Sequence, residues 1–261
     1  MTGLRATSPW FSPPRPNPSA ALRLFCFPYA GGSAHIFRTW PEALPPTVEV
    51  CPVQLPGRGG RLLEAPFTRL TPLVQAVAQA LLPHLERPFA LFGHSMGAII
   101  SFELARHLRR EHGCDPLHLF VSGRQAPQIP DMQPRIYDLP EAEFLVELRR
   151  LNGTPAEILE HPELIQLVLP LLRSDFELVQ TYTYSDDYPL NCPITVFGGL
   201  QDKEVSREQL EAWRKQTTGS LSLQTLPGDH FFLHTAQPLL LRMLALQLSR
   251  LASGTERAPR P

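Results

Sequence analysis

Lysine is scarce in this chain: Lys203 and Lys215 are the only two among 24 basic residues. The skew toward arginine reads as coding bias rather than mechanism. An excess of either charge is also missing, because 24 basic against 25 acidic residues leave a formal net charge of −1. That balance offers no electrostatic case for nucleic acid or an anionic membrane surface as partner. Cysteines number four (Cys26, Cys51, Cys114 and Cys192), with no C-x-x-C pair. They read as buried free thiols in a reducing compartment rather than as a disulfide framework. No apolar run approaches the ~18 residues of a membrane span. The N-terminus has no basic stretch followed by an apolar one. A soluble, cytoplasmic protein is the expectation, with no membrane or nucleic-acid partner. No internal repeat is visible.

What is present is a 43% hydrophobic chain of 261 residues, long enough to bury a sizeable core. Short apolar runs alternate with longer helical patterns. Residues 22–27, 48–53, 89–93, 117–123, 194–199 and 221–226 read as strands, rich in Val, Phe, Ile and Leu as strands buried on both faces are. Helices are expected over 72–86, entered at Thr71-Pro72, over 96–112, stopped by Gly113, and over 207–217 and 235–251. The alternation predicts an α/β domain over 21–251 with a mostly parallel central sheet flanked by helices. Between Gly123 and Ile194 about seventy residues contain no convincing strand. A structureless loop of that length does not suit a compact domain. The patterns at 141–151 and 162–182 predict a helical insertion at about 125–190, on the sheet edge. The Pro-rich start, 1–20, and the end, 252–261, read as disordered tails.

The chemistry begins at Gly93-His94-Ser95-Met96-Gly97, which fits G-x-S-x-G with a strand before it and a helix after it. A nucleophile in this motif sits in a strained turn, where side chains at the flanking positions would collide with neighbouring backbone. Glycines remove that obstacle, and the serine oxygen projects near the positive end of the next helix. A serine hydroxyl needs a base to take its proton. His107, His112, His118 and His161 lie in helices or at strand edges and suit that role badly. His230, in "LPGDHFFL" just past the last strand, is the candidate base, with His234 as competitor. The His230/His234 spacing also occurs in metal sites, but no acidic third ligand accompanies it. For the orienting carboxylate, Asp202 stands just after the strand 194–199. Glu204 is a weaker rival, Asp229 is too close to His230, and Asp175, Asp186 and Asp187 fall in the insertion. The roles then follow the triad logic: Ser95 attacks, His230 shuttles the proton, Asp202 fixes the imidazole. The oxyanion donors are expected to be the backbone N–H of Met96 and, from the loop "FPYAGGS" after the first strand, that of Ala30, with Tyr29 as near alternative. Arg58 and Arg61, in "PGRGGR", suit a carrier or phosphate contact, or brace a loop by bonding its carbonyls; bracing is the reading preferred. Arg173 and Asp175 are read as bracing the insertion.

Taken together the residues resemble the type II (external, editing) thioesterases that accompany polyketide synthases and nonribosomal peptide synthetases. The resemblance runs from about Leu22 to Leu248. It rests on Phe27-Pro28-Tyr29-Ala30-Gly31-Gly32-Ser33, Pro56-Gly57-Arg58-Gly59, Gly93-His94-Ser95-Met96-Gly97-Ala98, Leu172-Arg173-Ser174-Asp175, Asp202 and Gly228-Asp229-His230-Phe231-Phe232. It implies an α/β-hydrolase fold with a mobile helical lid. It implies a substrate too: an acyl group in thioester linkage to the phosphopantetheine arm of an acyl or peptidyl carrier protein. Stalled or mis-primed acyl groups would be hydrolysed through an acyl-serine, with no metal and no cofactor of the enzyme's own. A monomer is expected. The competing readings are a small-molecule carboxylesterase with the same triad, against which the lipase-type H-G-G-G loop is absent, and a non-catalytic carrier-binding partner.

Overall fold

The computed structural model describes residues 8–11 and 16–254. The elements are, in chain order, β1 (Leu22–Phe27), α1 (Trp40–Ala43), β2 (Val48–Pro52), α2 (Leu70–Leu81), β3 (Phe89–His94), α3 (Met96–His112) and β4 (His118–Ser122). Then follow α4 (Glu141–Leu151), α5 (Ala156–Leu159), α6 (Pro162–Gln180), β5 (Ile194–Gly199), α7 (Arg207–Glu211), β6 (Leu221–Leu226), α8 (Phe232–Thr235) and α9 (Gln237–Ala252). The six strands form one sheet in the order β2-β1-β3-β4-β5-β6, and every neighbouring pair is parallel.

Side chains of a strand alternate between the two faces of its sheet, and here both faces are covered. Leu22, Leu24 and Cys26 of β1 join Phe92, Phe120 and Phe197 in a core closed by Trp40 of α1 and by Leu240, Leu244 and Leu248 of α9. Phe25 and Phe27 point the other way, into a core shared with Val77 of α2 and Ile100, Leu104 and Leu108 of α3. The one charged side chain inside β1, Arg23, is matched by its register partner on β2: its Nε donates to Glu49 at 2.8 Å. A buried pair of this kind holds as long as neither partner is removed. The order of strands turns around at β1 and β3, and in open α/β sheets ligands bind beyond the carboxyl ends of the strands at that point.

The strands lie where the sequence places them, to within a residue or two. Helix boundaries shift more. α2 begins at Leu70 with Arg69 as its cap, so Pro72 sits third in the first turn, where no intrahelical donor is needed. It gives way after Leu81 to a 3-10 turn over Leu82–His84. The expected helix 207–217 likewise ends at Glu211 and continues as 3-10. The expected helix 235–251 is α9, which starts at Gln237, after a separate short helix, α8, that ends at Thr235. The insertion between β4 and β5 is helical, with its own small core of Ile136, Phe144, Leu148, Leu159, Ile165, Leu169 and Leu172. α5 within it is too short to leave a periodic signal.

The first twenty residues are not all tail. Phe11 is buried, pairs with Val53 in an antiparallel bridge and packs edge-on against Phe25 and His84. Trp10 lies under the guanidinium of Arg61 at 4.0 Å. Two aromatic side chains bury enough area to anchor a segment whose composition is otherwise Pro-rich. The expected C-terminal tail falls outside the described residues from 255 onward. The four cysteines are free, three buried and Cys114 half-buried, so the expectation of four buried thiols fails at one position. Among the described residues no helix is long and apolar enough to cross a membrane.

If the N-terminal segment is part of the packed body, Phe11→Ala destabilises the protein by about 3 kcal/mol. Urea unfolding of variant and wild type checks this, and coincident midpoints would contradict it.

Candidate active site

The chain leaves β3 at His94 and enters α3 at Met96, with one residue for the bend. Ser95 takes that bend at φ +53° and ψ −111°, a region that residues with a Cβ seldom adopt. The backbone on either side is crowded. A Cβ on Gly93 would lie 2.0 Å from the carbonyl oxygen of Gly97, and a Cβ on Gly97 would lie 2.2 Å from that of Phe27 on β1. Glycine is thus required at both positions by close approach, as the motif suggests. The Ser95 amide donates to the Ser122 carbonyl of β4 at 2.8 Å, which pins the bend to the neighbouring strand.

Three distant stretches of chain meet over this bend. Asp202 follows β5 in a turn whose amides it satisfies: its Oδ1 accepts from the N–H of Glu204 at 2.8 Å and of Val205 at 3.3 Å. The other oxygen, Oδ2, faces His230 Nδ1 at 2.9 Å. His230 Nε2 in turn lies 3.0 Å from Ser95 Oγ. A carboxylate only accepts, so the proton of the imidazole is placed on Nδ1 and Nε2 keeps its lone pair for the serine hydroxyl. Asp202 is almost wholly buried while His230 keeps some access to solvent.

The rival candidates are engaged elsewhere. His234 Nε2 pairs with the hydroxyl of Tyr29 at 3.0 Å. Glu204 holds Arg150 of α4 at 2.9 Å, and Asp229 Oδ1 accepts from the Phe231 amide. Asp175 is bound to Arg58, Asp186 accepts from the Tyr184 hydroxyl, and Asp187 lies beside Arg106 and Arg109. Among the described residues no group of three His, Cys, Asp or Glu side chains is arranged to hold a metal.

His94, inside the motif, is fully buried below the site. Its Nδ1 lies 2.8 Å from Ser122 Oγ, and its ring is 5.3 Å from that of His230. Burial, together with the nearby His230 and His234, pushes its pKa well below the ordinary histidine value. A neutral ring there adds no positive charge beneath His230, so the imidazolium formed during proton transfer is not opposed by a second cation.

The loop after β1 brings Tyr29 and Ala30 to the same pocket as Ser95, Met96 and His230, and the far wall of that pocket comes from the insertion. Leu148, Leu151, Leu172 and Phe176 supply its apolar lining, and Arg124 and Gln125 its polar side next to β4. Arg124 and Gln125 carry no pattern in the sequence, and Leu148, Leu151, Leu172 and Phe176 stand there as part of the helical stretches 141–151 and 162–182. Helical periodicity marks their apolar face without saying what it covers. Arg58 does brace a loop, as preferred: it donates to the carbonyls of Pro56 and Gly32, but its main partner is the carboxylate of Asp175. Arg61 binds Glu64 and the Gln54 carbonyl, also in bracing fashion. Arg173 donates to the Tyr137 carbonyl within the insertion.

A parallel sheet carrying Ser, Asp and His in that chain order, with the imidazole in contact with both of the others, defines a serine hydrolase of the α/β type. Residues 22–248 match the family model described as a thioesterase domain, and the chain belongs to that family. The chain is 48% identical to linear gramicidin dehydrogenase LgrE of Brevibacillus parabrevis over 250 residues, 95% of each. Among solved structures it is similar to RedJ, a thioesterase from the prodiginine biosynthetic pathway of Streptomyces coelicolor. That match has 42% identity and a TM-score of 0.82, over 88% of this chain and 87% of that one. It is also similar to BorB, the type II thioesterase from the borrelidin biosynthetic cluster, at 36% identity and a TM-score of 0.84. Here 92% of this chain and 97% of the other are covered.

The bend at Ser95 carries a testable cost. Ser95→Gly relieves a positive φ that Ser95→Ala retains, so the glycine variant is more stable than the alanine variant by about 1 kcal/mol. Chemical denaturation of the two variants measures the difference. An alanine variant equal to or firmer than the glycine one would mean that the bend is not strained.

Proposed function

We propose that this chain is an editing thioesterase that hydrolyses acyl groups from the phosphopantetheine arm of carrier proteins in polyketide or nonribosomal peptide assembly. The observation that carries the reading is the continuous contact Ser95 Oγ–His230 Nε2–Asp202 Oδ2, at 3.0 and 2.9 Å, opening into a pocket walled by the helical insertion. Ser95 attacks the thioester carbonyl while its proton passes to His230, whose charge Asp202 stabilises. The oxyanion of the tetrahedral intermediate is received by the amides of Met96 and Ala30, the first at the positive end of α3. The carbon–sulfur bond breaks, the pantetheine thiolate leaves, and His230 returns the proton to it. Water, deprotonated by the same imidazole, then attacks the acyl-serine and releases the free acid. The mechanism uses no metal and no cofactor of the enzyme's own.

Acyl selection falls to the apolar lining from α4 and α6. One methylene in such a pocket is worth only about 1–3 kcal/mol, so the preference among chains is modest, as suits an editing enzyme. The insertion is the natural lid, since Leu172 and Phe176 share the pocket with Ser95. The dehydrogenase name of the gramicidin relative does not carry over. Hydroxyl, imidazole and carboxylate move protons and acyl groups rather than hydride. The turn after β1, Pro28-Tyr29-Ala30-Gly31-Gly32-Ser33, is not the G-x-G-x-x-G that cradles a dinucleotide.

A carrier protein loaded with a short acyl group through its pantetheine thiol is the direct substrate. Intact mass following is expected to show deacylation by the wild type and a rate several orders of magnitude lower with Ser95→Ala. A retained acyl-carrier signal beside rapid cleavage of simple oxygen esters would make the protein an esterase instead. Inertness toward both would leave a binding partner. Asp202→Asn is expected to fold normally and to lose on the order of 10³–10⁴ in turnover, because the imidazole no longer holds the required tautomer. Wild-type turnover in that variant would place the acid elsewhere.

A further inference from the structure

The loop that supplies Ala30 does not hold its own shape. Tyr29–Gly32 is closed by one backbone bond, from the Gly32 amide to the Tyr29 carbonyl at 2.9 Å. Its remaining backbone hydrogen bonds go to a buried ion pair that spans two remote segments. Asp175, on α6, accepts the Gly31 amide on Oδ2 at 2.7 Å. The same carboxylate takes both nitrogens of the Arg58 fork, Nη1 on Oδ2 at 2.8 Å and Nη2 on Oδ1 at 2.7 Å. Arg58 Nη1 also donates to the Gly32 carbonyl at 3.1 Å. Both side chains are almost entirely shielded from solvent. The peptide unit before Gly31 is therefore gripped at its N–H, and the one after Gly32 at its C=O, by one two-residue unit. The Ala30 amide stands one residue back along that stretch.

We propose that the Arg58–Asp175 pair positions the oxyanion loop, and that it ties the aim of the Ala30 amide to the seating of α6. The geometry makes this more than loop bracing. Asp175 lies between Leu172 and Phe176, which line the acyl pocket. The helix that meets the acyl chain is the helix that holds the oxyanion loop. Displacing α6 from the pocket would carry the carboxylate away from Gly31 and leave the buried Arg58 without its partner, which a buried cation tolerates poorly. The hydrolytic site is complete only with α6 in place. The inference rests on Ser95 as acyl acceptor and not on the carrier protein as acyl donor.

The test uses the full-length protein and a small acyl thioester of N-acetylcysteamine, so that carrier docking plays no part. Asp175→Asn removes the charge at nearly constant volume. The double variant Arg58→Met/Asp175→Leu replaces the pair by apolar side chains, an exchange that buried pairs often survive. Reactive Ser95 is counted by a fluorophosphonate taken to completion, and turnover is expressed per reactive site. Expected are kcat values lowered about 10- to 100-fold with KM within about twofold. The inhibition constant of a trifluoromethyl ketone, whose adduct with Ser95 carries the oxyanion, should weaken by the same factor. The midpoint of the pH–rate profile stays where it is in the wild type, because His230 and Asp202 are untouched. Arg58→Lys, which keeps the charge and loses the fork, falls between. The proposal is overturned if any folded variant shows wild-type kcat per reactive site, or if the loss appears only as fewer reactive sites. Should the double variant not fold, Asp175→Asn decides alone by the same readings. An active Ser95→Ala enzyme would instead sink the mechanism itself. A wild type that cleaves the small thioester but not acyl-carrier would sink only the carrier reading.

Discussion

The approach of α3 to the sheet governs the site. β3 can pass into α3 through a single residue only if the helix start lies almost against the backbone of β1, where a Cβ at Gly97 would stand 2.2 Å from the Phe27 carbonyl. That closeness leaves Ser95 no ordinary backbone conformation and pushes its side chain out beyond the carboxyl ends of the strands. Burial of Ile99, Ile100, Leu104 and Leu108 on the same helix supplies the free energy that holds the bend in place. The nucleophile is thus positioned by hydrophobic packing below it and not by any bond its own oxygen makes.

The remaining groups come to Ser95 because successive parallel strands end on one line. Asp202 leaves β5 and His230 follows β6, so each reaches the same rim from a neighbouring strand. Parallel order has this consequence in general: loops that are far apart in sequence share one side of the sheet. The bases of the strands show the complementary arrangement. There Arg23 and Glu49 sit in register on β1 and β2, a polar contact with no part in the chemistry.

Where the sheet ends, the insertion takes over. Its helices have a small core of their own and contribute to the domain chiefly a wall over the pocket. A unit attached in this way can vary its acyl-facing side chains without disturbing the sheet. Polar ties are the exceptions: Asp175 joins the insertion to the loop after β1, and Arg150 joins it to Glu204 in the turn that carries Asp202.

Strand positions, the strand–turn–helix context of Ser95 and the three groups that meet there were legible in the residues. Short apolar runs and the glycine pair are local signals, set over five to ten residues. Other features were not. The anchoring of Trp10 and Phe11 was hidden by a Pro-rich surround, since composition averages over the two residues that matter. The choice of His230 over His234 followed from position alone; the reason His234 is excluded, its bond to Tyr29, exists only once β1 and β6 are brought into one sheet. The same holds for Asp175, which in sequence is one acid among several in a helix. Its partners lie 144 and 117 residues away, at Gly31 and Arg58. Sequence by itself determined the sheet, the bend and the kind of chemistry, because each is written in short-range pattern. Which arginine the bracing acid meets, what engages the second histidine and what the insertion faces were decided by tertiary structure, because those depend on distances that no local pattern records.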